Sequence, residues 1–126
     1  MSYCSFEALD VWKRACCLAV RVYEVLQACR DFGLKDPLTR SAVSIASNLA
    51  EGSERNSRPD DIRFLPIAKG SAAELRTPLY IAYKVGLITK ELRTERVQAL
   101  KEISAMLQVL ANALKPNSFS SLKLKT

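Results

Sequence analysis

The chain has 126 residues, 48% of them apolar and 25% charged, with only four glycines and a formal net charge of +6. That length and balance suit one compact domain with its own core and exclude a mainly disordered chain. Four cysteines without a CxxC pair, and no histidine at all, argue against a zinc cluster and remove the commonest general base.

The opening stretch MSYCSFEALDVWKRA carries acids early and lacks the apolar core of a signal peptide. No apolar run approaches the ~20 residues that span a bilayer. The expected setting is therefore cytoplasmic, with Cys4, Cys16, Cys17 and Cys29 as reduced structural thiols. No metal, cofactor or membrane partner is implied.

A first helix is predicted over about residues 5–30. Leu9, Trp12, Cys16, Ala19, Tyr23 and Leu26 step by three and four as a seam, and Val11, Ala15, Leu18, Val22 and Val25 form a second ridge beside it. The helix is expected to stop near Phe32-Gly33, with glycine in the left-handed closing position. A second helix is predicted over about 37–55, started by Asp36 as cap and Pro37 at the first helical position, with Leu38, Ala42, Ile45 and Leu49 inward.

Ser57 then reads as the cap of a third helix over about 58–85. Pro66 and Pro78 interrupt its apolar pattern, so kinks, or one break near Pro66, are expected in place of a straight rod. Gly86 should close it, with Leu87 placed for the hydrophobic contact that follows. A fourth helix is predicted over about 89–114, ended by Pro116 and followed by a basic, serine-rich tail, 116–126, expected to be flexible. The economical solution is an all-α domain, residues 1–115, built as an antiparallel up-down four-helix bundle.

Two sets of residues stand out on this frame. At about 100° per residue, Arg40, Ser44, Asn48, Glu51 and Arg55 share an arc of about 80° on the second helix, opposite its apolar stripe. This is either an ordinary wet face or an interface. Ser44, Ser47 and Asn48 favour the second reading, because such side chains look for hydrogen-bond partners. Gly52 either lets another backbone come close or loosens the last turn. The third helix repeats the theme in Lys69-Gly70-Ser71-Ala72-Ala73-Glu74, whose small residues permit close packing. An ion pair from Arg40 or Arg55 to Glu74, within the chain or between subunits, is the structural expectation. Glu51 and Glu74 could form an acid/base pair, but no nucleophile or metal ligand supports catalysis, and the protein is expected not to be an enzyme.

The second set is the cations. Residues 1–56 hold seven Lys/Arg and seven Asp/Glu, whereas 57–126 hold twelve against six, so the whole surplus lies in the second half. Candidate phosphate contacts are Arg58, Arg63, Lys69, Arg76, Lys84, Lys90, Arg93 and Arg96.

RSAVSIASNLAEGSERNS at 40–57 and FLPIAKGSAAELRTPLYIAYKVGLI at 64–88 together resemble the four-helix-bundle proteins named for the 23S rRNA intervening sequence. The segment from Phe6 to Ala15 and Phe32-Gly33-Leu34 resemble that family too, so the likeness runs over about residues 5–115. The resemblance implies a bundle assembled as a ring-like homopentamer, with no established enzymatic activity. Relatives serve diversity-generating retroelements, where a basic pentamer works with a reverse transcriptase and nucleic acid. The signature carried over is Arg40, Ser44, Asn48, Glu51, Gly52 and Arg55 with Gly70, Ser71 and Glu74. Asp36-Pro37-Leu38-Thr39-Arg40 and Pro66 depart from the family's pattern.

Two functions follow as expectations. One is a non-enzymatic oligomer that binds structured RNA or an RNA–protein complex through its basic surface; five copies would carry about +30. The other is a structural adaptor whose polar signature locks subunits or docks a protein. In either case Ser44, Asn48, Glu51 and Arg55 are expected chiefly to hold helices or subunits in register.

Overall fold

The computed structural model describes residues 6–55 and 58–114. A 3-10 turn at Phe6–Ala8 precedes four helices, α1 Asp10–Val25, α2 Phe32–Glu54, α3 Arg58–Lys84 and α4 Lys90–Leu114, and no strand occurs among the described residues. They form a four-helix bundle around one apolar core to which every helix contributes. No helix among the described residues is long and apolar enough to cross a membrane. The tail 116–126 and the Ser57 cap lie outside the described residues.

α1 is shorter than its apolar pattern predicts. Leu9 is extended and Leu26 leaves the helical region, so the helix covers neither residues 6–9 nor 26–30. Its core side also differs from the predicted seam. Val11, Ala15, Leu18 and Val22 are buried, whereas Trp12, Cys16 and Ala19 are half-buried and Tyr23 is exposed. Both ridges satisfy the three/four spacing. The branched, compact one faces α2, α4 and the core, and the bulkier one is left at the edge.

α2 begins a turn and a half earlier than Asp36-Pro37 suggests. Asp31 is the cap, its carboxylate accepting from the Leu34 N–H at 3.3 Å, and Gly33 lies inside the helix instead of closing α1. The earlier start puts Leu34 against the core beside Leu38. Pro37, the sixth residue of α2, removes the bond to the carbonyl of Gly33, an exposed residue of the first turn.

α3 runs unbroken through Pro66 and Pro78, so the expected break at Pro66 does not occur. Pro66 is exposed and Pro78 sits at the edge of the buried stripe. At Pro78 the missing N–H frees the carbonyl of Glu74, an exposed residue. The alanines Ala68, Ala72 and Ala82, all fully buried, give α3 a narrow inner face against α2, where Ala42 is equally closed off.

Gly86 ends α3 as expected, with φ of 85°. Its N–H donates to the Tyr83 carbonyl at 3.1 Å while the Leu87 N–H reaches back to the Ala82 carbonyl at 2.8 Å, the paired bonds of a Schellman closure. The hydrophobic contact is made by Ile88, which is buried; Leu87 points outward, because the left-handed residue turns the chain before the next side chain can fold back. Thr89 then caps α4 through its hydroxyl, 3.1 Å from the Leu92 N–H.

Candidate nucleic-acid interface

The polar row of α2 meets α3 at its centre. Ser44 and Ser71 face each other with their hydroxyl oxygens 2.8 Å apart. Asn48 Nδ2 donates to Ser44 Oγ at 2.9 Å and to the Ser44 carbonyl at 2.8 Å. Ser71 Oγ donates to the Ile67 carbonyl at 3.3 Å. One arrangement of protons satisfies the chain: the Asn48 amide gives to the Ser44 hydroxyl, Ser44 to Ser71, and Ser71 to the carbonyl. Ser71 is 5% exposed, so its hydroxyl has little water to fall back on.

Ser71→Ala is expected to lower the unfolding free energy by about 1–3 kcal/mol, measured by chemical denaturation, because it strands the Ser44 proton between two helices. Ser44→Ala with Ser71→Ala should cost less than the two single changes together. Strict additivity would mean the hydroxyls are not coupled.

One turn on, Gly52 is buried where α3 crosses. A Cβ there would stand 2.8 Å from Phe64 Cβ, so of the two roles open to this glycine the structure uses it for close approach. Phe64 is covered from both sides, with the Arg55 guanidinium 5.3 Å and the Arg63 guanidinium 5.0 Å from its ring centroid. Glu51 pairs with Arg55 at 3.2 Å along the helix surface. Gly70 differs: nothing lies within 4 Å of where its Cβ would be, so close packing falls on Ser71 and Ala72 instead.

The expected pairing of Glu74 with Arg40 or Arg55 is not made within the chain. Arg55 is taken by Glu51, and Arg40 and Glu74 both stand exposed without an ion pair among the described residues. Glu51 and Glu74 do not converge on one another, since Glu51 answers to Arg55.

The cations sort into different environments. Arg96 is 8% exposed and bonded to Glu95, whose carboxylate also takes Arg21 of α1 at 3.0 Å. Arg96 is thus buried against the carboxylate that ties α4 to α1 and is not a phosphate contact; its Nε is buried without a partner. Arg63 lies at the Phe64 end of α3, about 30 Å by helical rise from Lys84. The side chain of Arg58 lies outside the described residues.

The remaining cations share a side of the molecule. On α3, Lys69, Arg76, Tyr80, Tyr83 and Lys84 fall within an arc of about 100°, and Glu74 lies at least about 80° beyond it. On α4, Lys90, Arg93 and Lys101 share an arc of about 80° toward α3. Glu91, Glu95 and Glu102 occupy the opposite arc, where Glu102 meets Arg14 at 3.5 Å and Glu95 meets Arg21. Two contacts join the basic stripes: Lys69 Nζ donates to Gln108 Oε1, and the Arg93 guanidinium lies 4.6 Å from the Tyr83 centroid and 5.7 Å from that of Tyr80. That register puts Lys101 level with Arg76. Two of the acids of α4, Glu95 and Glu102, are spent on α1, and its cations are left for α3 and solvent.

On another side, α1 and α2 leave an open apolar groove lined by Trp12, Cys16, Ala19, Tyr23, Val43 and Ala50, among others, with a volume of about 650 Å³. Partial burial in it pushes the Cys16 thiol pKa up. Cys16, Cys17 and Cys29 are all free thiols, and Cys4 lies outside the described residues.

A sequence model of the 23S rRNA-intervening sequence protein family matches residues 7–109. This chain belongs to that family. It is also similar to a crystal structure from Bacteroides thetaiotaomicron VPI-5482, described as a protein with unknown function from the S23 ribosomal protein family. The likeness has 28% identity and a TM-score of 0.74, over 80% of this chain and 97% of that one. No curated protein matches the chain.

For this member of the 23S rRNA-intervening sequence family, sequence reasoning located the signature but not its partners, and it missed three residues of the basic face. Lys101, Tyr80 and Tyr83 become part of that face only when α3 and α4 are read as wheels with a common register. The alternation of Lys90, Arg93 and Lys101 with Glu91, Glu95 and Glu102 was the available signal.

Proposed function

We propose that this protein is a non-enzymatic oligomer, acting in the cytoplasm, that binds structured RNA or an RNA–protein complex through the basic face of α3 and α4. The observation that carries the reading is the separation of charge on α4: Glu95 and Glu102 answer arginines of α1 and Glu91 lies on the same arc, while Lys90, Arg93 and Lys101 stand on the α3 side with Lys69, Arg76 and Lys84. An acid-free cationic strip attracts phosphates without any base recognition.

The bundle is read as antiparallel and up-down, supported by contacts whose numbers fall on one helix as they rise on its neighbour: Arg14 with Glu102 and Arg21 with Glu95, Ser44 with Ser71 and Gly52 with Phe64. Assembly as a ring-like homopentamer is part of the same reading, and the resemblance to the family supports it. The uncovered groove between α1 and α2 supports self-association, since an apolar channel this open is a surface that a second copy would cover. In this reading the signature serines and Asn48 hold α2 to α3, and subunit contact falls elsewhere.

Light-scattering mass with and without RNA, across a salt series, tests both parts. The expected result is a mass several times 14.0 kDa, and RNA binding that weakens steeply with salt. A monomer, or no binding at low salt, would contradict the corresponding part. An oligomer that ignores RNA would favour the adaptor reading.

A further inference from the structure

Six cations and two tyrosines on one face invite a question that charge alone does not answer: why the rings are there. Tyr80 is 39% exposed, so part of its ring is open to solvent on the cationic face. Its neighbours along α3 are Arg76 one turn before and Lys84 one turn after, at steps of about 6 Å. Across the groove, a single guanidinium, that of Arg93, lies over both Tyr80 and Tyr83. Tyr83 is half-buried against the core, so Arg93 links the exposed ring to a fixed one and holds it in one orientation.

Lys84 and Lys90 flank this group from the end of α3 and the start of α4, on either side of the tight Gly86 turn. From Arg76 to Arg93 the chain carries four Lys/Arg and one carboxylate, Glu91, which lies on the far arc of α4. The end of the α3–α4 pair therefore combines an exposed, pre-oriented ring with cations on both sides and no acid between them. That is the chemistry of a site for unpaired nucleotides: a ring offers its face to a base, and flanking cations take the phosphates. A duplex, whose base faces are hidden in the stack, would use the cations and leave the ring idle.

Resting on the nucleic-acid reading above, we infer that Tyr80, with Arg93 and the flanking Arg76, Lys84 and Lys90, forms a stacking platform for single-stranded segments of RNA. The platform selects unpaired over paired regions and is tolerant of sequence, because every base presents a face that can stack.

The test uses the full chain with three probes: a short fluorescent oligouridylate, a duplex RNA of the same length, and inorganic polyphosphate as a polyanion without bases. Tyr80→Ala is expected to weaken oligouridylate binding about tenfold or more. It should leave duplex and polyphosphate binding unchanged, while Tyr80→Phe keeps the wild-type affinity for all three. Equal oligouridylate binding by wild type and Tyr80→Ala would overturn the platform and leave the basic-face reading standing. Equal losses on all three probes would also overturn it, since they would mean that the change acts on charge or fold. Failure of the wild type to bind any of the three at low salt would overturn both.

Discussion

Replacing Arg76 and Lys101 together by glutamine is expected to weaken RNA binding about ten- to thirtyfold at ~0.1 M salt. It should also lower the slope of log affinity against log salt by about 1.4, the share of two phosphate contacts on a single strand. The two residues stand level with each other across the α3–α4 groove, on a side from which the carboxylates of α4 are turned away. A matched control removes the same charge elsewhere: Arg14→Gln with Arg21→Gln takes two cations from α1, where they answer Glu102 and Glu95. Those arginines are half-exposed and already paired, so their loss should leave the salt slope unchanged and cost stability only slightly. Titrations by fluorescence anisotropy at several salt concentrations separate the outcomes. Equal effects from both double variants would mean that only total charge matters, and that the sorting of charge between the two sides of α4 has no functional consequence.

The second large effect concerns two glycines that look alike in the sequence. Gly52→Ala puts a methyl group 2.8 Å from Phe64 Cβ and 3.3 Å from its Cγ. Neither atom is the far end of a flexible chain, so α2 and α3 must move apart. Such overpacking costs about 1–3 kcal/mol, and the gain in helix propensity returns about 1 kcal/mol of it. Gly70→Ala meets nothing within 4 Å and keeps only the gain, an expected stabilisation of about 0.5–1 kcal/mol. At equal protein concentration the melting temperature should therefore fall by a few degrees for the first variant and rise for the second. Shifts of the same sign would show that the α2–α3 spacing at Phe64 is not as tight as the geometry states.

The four helices and the Gly86 closure were legible because each rests on local signals: apolar periodicity, a hydroxyl or acid at the start, a glycine at the end. Errors arose where two local signals competed. Asp36-Pro37 reads as a helix start, but Leu34, one turn earlier, packs against the core, and Asp31 is the cap. On α1, the Trp12–Cys16–Tyr23 ridge and the Val11–Ala15–Leu18 ridge fit the same spacing. Packing space, which no single helix encodes, chose the second and left the first lining an open groove.

The site divides the same way. Ser44 and Asn48 announced themselves as residues seeking partners, yet that Ser71 is the partner across the helices depends on the register between α2 and α3. Glu74 and Gly70 share that segment but stand exposed, so proximity in sequence overstated their part. Arg96 was indistinguishable from the other cations until its burial beside Glu95 removed it from the surface. Lys101 and the two tyrosines were visible as letters, but their membership of one face needed the register fixed by Lys69 with Gln108 and Arg93 with Tyr83.

The most direct test of the α3–α4 face is lysine footprinting by mass spectrometry, comparing acetylation rates of the full chain with and without a short single-stranded RNA at low salt. Lys84, Lys90 and Lys101 are exposed on that face, whereas Lys13 is exposed on α1 and serves as the internal reference. The account predicts slower acetylation of the first three on RNA binding and an unchanged rate at Lys13. Protection at Lys13 with none at Lys84, Lys90 and Lys101 would contradict it.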